Sequence, residues 1–194
     1  GNESPQEEAE RLARGKVESL LDEHPTLCDR LVLGADTVID LDGHVLGKPE
    51  SEEEAASFLG QLGGKSHRVI TSLALHAPRS DHRSPSQPAS GSTSASAQNS
   101  SSQTPSGQII VDSELTRIRV SRLSEHERRW YISTGEWRGA AGGYRIQGLG
   151  ALFVEGLEGC YFNVMGLPLS LFYGMVQRHG YDLLRGLSGE SSAV

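Results

Sequence analysis

The sequence predicts an α/β domain with a mixed sheet flanked by helices, and three observations predict it. Segments with helical spacing and their own N-terminal caps alternate with runs rich in β-branched residues, one run folds back on itself across Asp42-Gly43, and 194 residues are enough for one sizeable core. From Ser4 to about Leu21 the pattern is helical: Ser4 caps, Pro5 takes the first position and Glu7 completes a capping box. Ala9, Leu12, Ala13, Lys16, Val17 and Leu20 share one face, where spacing alone reads Lys16 as a stem lying on the core with its ammonium in water. Leu31–Leu33 starts a buried strand that meets Asp36 and Thr37 at its expected end. Val38, Ile39 and Leu41 resume the pattern, Asp42-Gly43 is a strong hairpin signal, and Val45 and Leu46 return towards Gly47, Lys48 and Pro49. Closing the hairpin there puts Asp36 and Lys48 at the same end of two paired strands, an acid and a base facing one cleft.

Ser51 then caps a second helix, with Ala55, Ala56, Phe58, Leu59 and Leu62 as its apolar face and Gly63-Gly64 as its stop. His67–Leu75 reads as a strand, its histidine being more often a satisfied polar residue than a ligand. From about 78 to 107 the composition collapses into Ser, Pro, Gln, Ala and Gly, which have little to bury, and the stretch is expected to be a disordered insertion within one domain spanning 1–194. Gln108–Val120 suggests strand structure, Ser124 with Glu127 opens a short helix, and Thr134–Gly150 is a glycine-rich loop matching neither a dinucleotide fingerprint nor a P-loop. Ala151–Val154 and Tyr161–Val164 are expected as strands. Leu167–Tyr181 is expected as the closing helix, with Leu167, Leu171, Met175 and Val176 inward, and 186–194 as a flexible tail.

Composition narrows the function. A net charge of -7 excludes the global basic footprint of nonspecific nucleic-acid or membrane binding, so a phosphate-bearing ligand needs a local positive site. Cys28 and Cys160 lack metal-ligand spacing and are too few for a disulfide scaffold, which points to a reducing, cytoplasmic setting. No apolar run approaches the ~18–20 residues of a membrane span, and no signal peptide is visible. Polar residues gather in two blocks, Asp36, Thr37 and Lys48 in one and Glu136, Arg138, Tyr144, Arg145 and Gln147 in the other. Hydrolysis of a phosphoanhydride needs a carboxylate to hold a metal or deprotonate water, and cations to take up transition-state charge. By spacing alone, the alternatives remain a turn-capping aspartate and a solvated lysine.

These residues resemble a known family. GADTVIDLDGHVLGKP with the following EEEAASFLGQLGGKSHRVITSLAL is similar to the central block of the Maf (septum formation inhibitor) nucleotide pyrophosphatases. AAGGYRIQGLGALFVEGLEGCYFNVMGLPLSLFYGMV and SPQEEAERLARGKVESL match further blocks in order. The resemblance implies a fold related to inosine triphosphate pyrophosphatases, two lobes around a substrate cleft, a homodimer, and hydrolysis of a nucleoside triphosphate to its monophosphate and pyrophosphate with Mg or Mn. It implies Asp36 as catalytic base or metal carboxylate, Lys48 and Lys16 as phosphate contacts or organisers of the acid, and Gln147 near the substrate. Thr37 resembles the dTTP/UTP branch, since the 7-methyl-GTP branch carries another residue after the aspartate.

Two departures stand out. Ala140 replaces the family lysine before Ala-Gly-x-Tyr, leaving Arg138 and Arg145 as nearby cations. The family's first strand and its Ser-x-Ser-Pro-Arg-Arg phosphate loop are not found upstream of Ser4, so the expectation is a truncated chain short of charge-assisted hydrogen bonds of about 1.5–3 kcal/mol each. The competing expectation is a catalytically inactive nucleotide-binding or regulatory module that uses its serine-rich segment for interactions.

Overall fold

The computed structural model describes residues 3–78 and 107–184. The expected serine-rich insertion and C-terminal tail lie, apart from the insertion's outermost residues, outside these. Helix α1, Pro5–Glu23, begins with the predicted capping box, in which the Ser4 hydroxyl accepts from the Glu7 N–H and the Glu7 carboxylate accepts from the Ser4 N–H. Strand β1, Val32–Leu41, turns into β2, His44–Leu46, through Asp42 and Gly43, whose φ values of 52° and 87° are those of a type I′ hairpin. Helix α2, Glu52–Leu62, leads to β3, Ser66–Ala77, and β4, Gln108–Val120, pairs along all of β3. Helix α3, Glu125–Thr134, precedes β5, Val154–Glu158, the single turn α4, Tyr161–Val164, and α5, Leu169–Arg178.

The five strands run in the order β2-β1-β3-β4-β5, and helices flank the sheet as expected. Every pairing is antiparallel, where a mixed sheet was expected. The reason lies in the α2 crossover: it joins β2 to β3, which run the same way, but β1 lies between them, so neighbours always oppose.

The pleat of β1 divides the core. On one face α1 packs Ala9, Ala13 and Val17 onto Val32, Val38, Ile70 and Ala74. This approach is so close that a Cβ on Gly34 would lie 2.5 Å from the Ala13 carbonyl oxygen. On the other face α5 covers Leu73 and Leu75 with Met175 and Val176 at one end of the strands. At the other end Ile39, Leu41 and Val69 join α2, α3 and the later loops around Leu59, Tyr131, Trp137 and Phe153. Two lobes thus share one long sheet, with a gap between them at mid-β1.

Two segments differ from expectation. Leu149–Phe153 is a 3-10 turn, and the strand starts only at Val154, because the Glu136 carboxylate captures the Leu149 and Gly150 N–H groups. Tyr161–Val164 is helical instead of extended, which turns the Asn163 side chain down onto the sheet. The closing helix starts after Pro168, so Leu167 is exposed, not inward.

Candidate active site

β2 pairs with β1 only over Ile39–Leu41, so among the described residues the edge of β1 before Val38 carries no strand on that side. A cleft of about 250 Å³ opens along this edge, and Lys16, Asp36, Thr37, Lys48, Arg145 and Gln147 line it. Asp36 lies in the middle of β1 and not at its end, but it is close to where β2 pairing stops, so an acid is presented beside the hairpin as expected. Of the residues singled out from the sequence, Lys16, Asp36, Thr37, Lys48, Tyr144, Arg145 and Gln147 are brought together, from four separate segments.

Helix α1 delivers Lys16 from above the sheet. Its ammonium donates to Asp36 Oδ1 at 2.6 Å and to the Ala35 carbonyl at 2.7 Å. The Lys16 side chain is 52% exposed and that of Asp36 17%, so the pair is partly screened and open to a ligand. Lys48 is exposed, in the segment between β2 and α2, which is tied to the glycine-rich loop by a 2.8 Å bond from the Gly142 N–H to the Gly47 carbonyl. Arg145 is fixed from behind: its Nε donates to the Glu136 carbonyl at 3.0 Å and its Nη2 to the Arg138 carbonyl at 2.8 Å.

Arg138 is the residue not brought in. Its guanidinium lies 4.8 Å from the Trp137 ring centroid and donates to Glu52 at 3.5 Å, away from the cleft. The left-handed Gly139, at φ 71°, lies between it and Ala140, and the chain turns there. Glu136 is also spoken for within the protein. Desolvation pushes its carboxyl upwards, but donated bonds from Leu149 N–H, the Tyr131 hydroxyl and Gly150 N–H outweigh this and hold it below the usual range. His67 lies one layer behind the cleft wall, 2% exposed, with Nε2 2.8 Å from the hydroxyl of Tyr144, which lines the cleft. Burial drives its pKa down to about 4 and pushes the Tyr144 phenol up.

The charge balance of the cleft is the reverse of the chain's. Among the described residues, Lys16, Lys48 and Arg145 face a single carboxylate, Asp36, in a protein of net charge -7. This is the local positive site a phosphate ligand requires. The other half of the lining is apolar, with Ile39, Val69, Val164 and Met165 around the Thr37 hydroxyl. A charged group and a flat, less polar one can therefore bind side by side.

The family model described as Maf-like protein matches residues 1–179. The chain belongs to the Maf family. A dTTP/UTP pyrophosphatase of Syntrophomonas wolfei subsp. wolfei is 41% identical over 185 residues, covering 94% of this chain and 82% of that protein. One of Pelotomaculum thermopropionicum is 40% identical over 184 residues, 95% and 81% of the two chains. One of Pyrococcus furiosus is 36% identical over 181 residues, 93% and 78% of the two.

In this Maf chain the position expected to carry lysine, Ala140, does line the cleft, between Gly139 and Ala141. The cation that the loop contributes to the lining is Arg145. Sequence reasoning missed Thr71 and Asn163, which are fully buried behind Thr37. Among the described residues no group of three or more His, Cys, Asp or Glu side chains could hold a metal by itself. Asp36 alone would give a divalent ion one protein ligand, the remaining ligands coming from water and substrate phosphate. No helix among the described residues is long and apolar enough to cross a membrane.

Proposed function

We propose that this chain hydrolyses nucleoside triphosphates of the dTTP/UTP type to the monophosphate and pyrophosphate, with the cleft along β1 as its active site. The observation that carries this is the set of three cations around one carboxylate, beside an apolar half suited to a base, in an acidic chain. The dTTP/UTP pyrophosphatase relatives that align over more than nine-tenths of this chain support the substrate class.

In the reaction a water oxygen attacks the α-phosphorus, the bond from that phosphorus to the bridging oxygen breaks, and pyrophosphate leaves with the bond's electron pair. Asp36 takes the water's proton, and Lys16, 2.6 Å away, holds the carboxylate in position. Lys48 and Arg145 offset the charge that builds on the phosphate oxygens. Asp36 would also be the protein ligand of a divalent Mg or Mn ion, which when bound supplies further charge neutralisation. Gln147, exposed at the cleft, contacts the nucleotide.

A homodimer is part of the reading. Leu152, Tyr161, Phe162, Met165, Leu167 and Leu169 are exposed within one short stretch of chain, apolar side chains that a second copy would cover. Sedimentation equilibrium tests it, and a monomer at micromolar concentration would count against it. Free cysteines at 28 and 160 support a cytoplasmic location.

The deciding experiment is pyrophosphate release from UTP and dTTP with Mg or Mn. Turnover that Asp36→Asn abolishes supports the reading. Binding without release from any nucleotide would replace it with that of a nucleotide-binding module.

A further inference from the structure

We propose that Thr71 and Asn163 fix the hydrogen-bonding sense of Thr37, so that the apolar half of the cleft selects a base offering an imide N–H, as uracil and thymine do. This rests on the nucleotide reading above and adds the groups that choose the base. The Thr71 hydroxyl donates to the Asn163 backbone carbonyl at 2.8 Å. A threonine hydroxyl has one hydrogen, and a carbonyl has none to return. Thr37 Oγ1 lies 2.9 Å from Thr71 Oγ1, so Thr37 must be the donor in that contact. With its only hydrogen turned inward, Thr37 shows the cleft nothing but lone pairs.

The arrangement is held rigidly. Thr71 and Asn163 are both 0% exposed. The Asn163 amide donates to the Val69 carbonyl at 3.0 Å and to Thr116 Oγ1 at 2.9 Å, which pins α4 to the sheet. Gly166 follows with φ at 100°, and a Cβ there would come within 3.3 Å of Thr37 Oγ1, so the absence of a side chain leaves the hydroxyl uncovered.

Where the base sits follows from the pleat. Thr37, Ile39 and Val69 lie on one face of the sheet and Asp36 on the other, next to Lys16, so the cleft has an apolar side and a charged side as a nucleotide has. Against an acceptor-only hydroxyl, the N3–H of uracil or thymine makes a hydrogen bond. Cytosine presents a bare N3, and two lone pairs face each other with both groups desolvated. A site built to receive a hydrogen rejects the analogue lacking it more strongly than an apolar wall would.

The test reads base preference without turnover, by calorimetric titration with the α,β-imido analogues of UTP and CTP. The wild type is expected to favour the uridine analogue about tenfold. Thr71→Val frees the Thr37 hydrogen to donate to cytosine N3, so the preference should fall to within about twofold, chiefly through tighter binding of the cytidine analogue. Thr71→Ser keeps the relay and should keep the preference. Thr37→Val serves as a second variant should Thr71→Val not fold, and is expected to weaken the uridine analogue about tenfold and the cytidine analogue much less. A wild type without preference, or an unchanged preference in both valine variants, overturns the relay. Absence of pyrophosphate release with the preference intact removes the catalytic reading instead and leaves the relay standing.

Discussion

Asp36 and Glu136 are both carboxylates next to the cleft region, and their surroundings assign them opposite work. Glu136 accepts three hydrogen bonds from its own chain, two from backbone N–H groups and one from Tyr131. Asp36 is held, among the described residues, by the half-exposed ammonium of Lys16. Glu136 has spent its lone pairs on shaping the loop that carries Arg145 and Gln147. Asp36 keeps accepting capacity turned towards a cleft of about 250 Å³. A carboxylate saturated by protein donors is a structural part, and one held by a single exchangeable cation in a cleft can move a proton or hold a metal.

The largest expected effect breaks this comparison at Asp36. Asp36→Asn keeps the volume and removes the charge, and should lower pyrophosphate release on the order of 10³-fold, within the range for loss of a general base. Its thermal midpoint should stay within a few degrees of the wild type, because the loss on the Lys16 side is a partly screened pair. A retained rate would remove Asp36 from the chemistry. Glu136→Ala should do the reverse: stability falls by about 2–3 kcal/mol as two backbone donors and the Tyr131 hydroxyl lose a charged acceptor. Denaturant titration checks the loss, and an unchanged midpoint would make Glu136 a free acid like Asp36.

His67 sharpens the same contrast from the titration side. In the folded protein burial holds its pKa at about 4, against 6.5 for an ordinary histidine. The neutral form is therefore the folded one, and the unfolded chain binds the extra proton. Stability is full above about pH 6.5, declines as pH falls through the window to about 4, and is lower by up to roughly 3 kcal/mol at its foot. His67→Gln should remove that slope between pH 6.5 and 4. Because Tyr144 leans on His67 at 2.8 Å while lining the cleft, nucleotide affinity should hold across this window and weaken only as pH falls through about 4, where His67 takes up its proton in the folded protein.

Much of this was legible in the sequence where the chemistry is local. Capping boxes at Ser4 and Ser124 and the Asp42-Gly43 turn are set by residues within four positions of each other, and all appear as read. Lys16 was legible only through the family resemblance, because its partner is 20 residues away and helical spacing alone makes it a surface lysine. Thr71 and Asn163 were not legible, since their bond joins residues 92 apart and depends on whether 161–164 coils or extends. The short apolar run there suits either state, and the tertiary contact of Asn163 with Val69 decides it. The direction of the sheet was misread for a related reason: a crossover helix signals that two strands run the same way, not that they are neighbours.

The smallest effect separates two arginines that sequence spacing could not tell apart. Arg138 and Arg145 flank the same glycine-rich segment, seven residues apart, and both were expected at the substrate. Arg145 is anchored through two backbone carbonyls and lines the cleft, so Arg145→Ala removes a positioned cation and should reduce kcat/KM for UTP by roughly tenfold to a hundredfold, as for a charged hydrogen bond. Arg138 spends its charge on Glu52 and the Trp137 face, both outside the cleft. Arg138→Ala should therefore change kcat/KM by less than about twofold and stability by less than about 1 kcal/mol, the scale of an exposed ion pair. Raising the salt concentration distinguishes the two roles further. Phosphate binding by Lys16, Lys48 and Arg145 weakens with ionic strength in the wild type and in Arg138→Ala alike, whereas Arg145→Ala should show a shallower dependence because one of three cleft cations is gone. An Arg138→Ala variant that lost as much activity as Arg145→Ala would mean that the guanidinium swings into the cleft when nucleotide is bound.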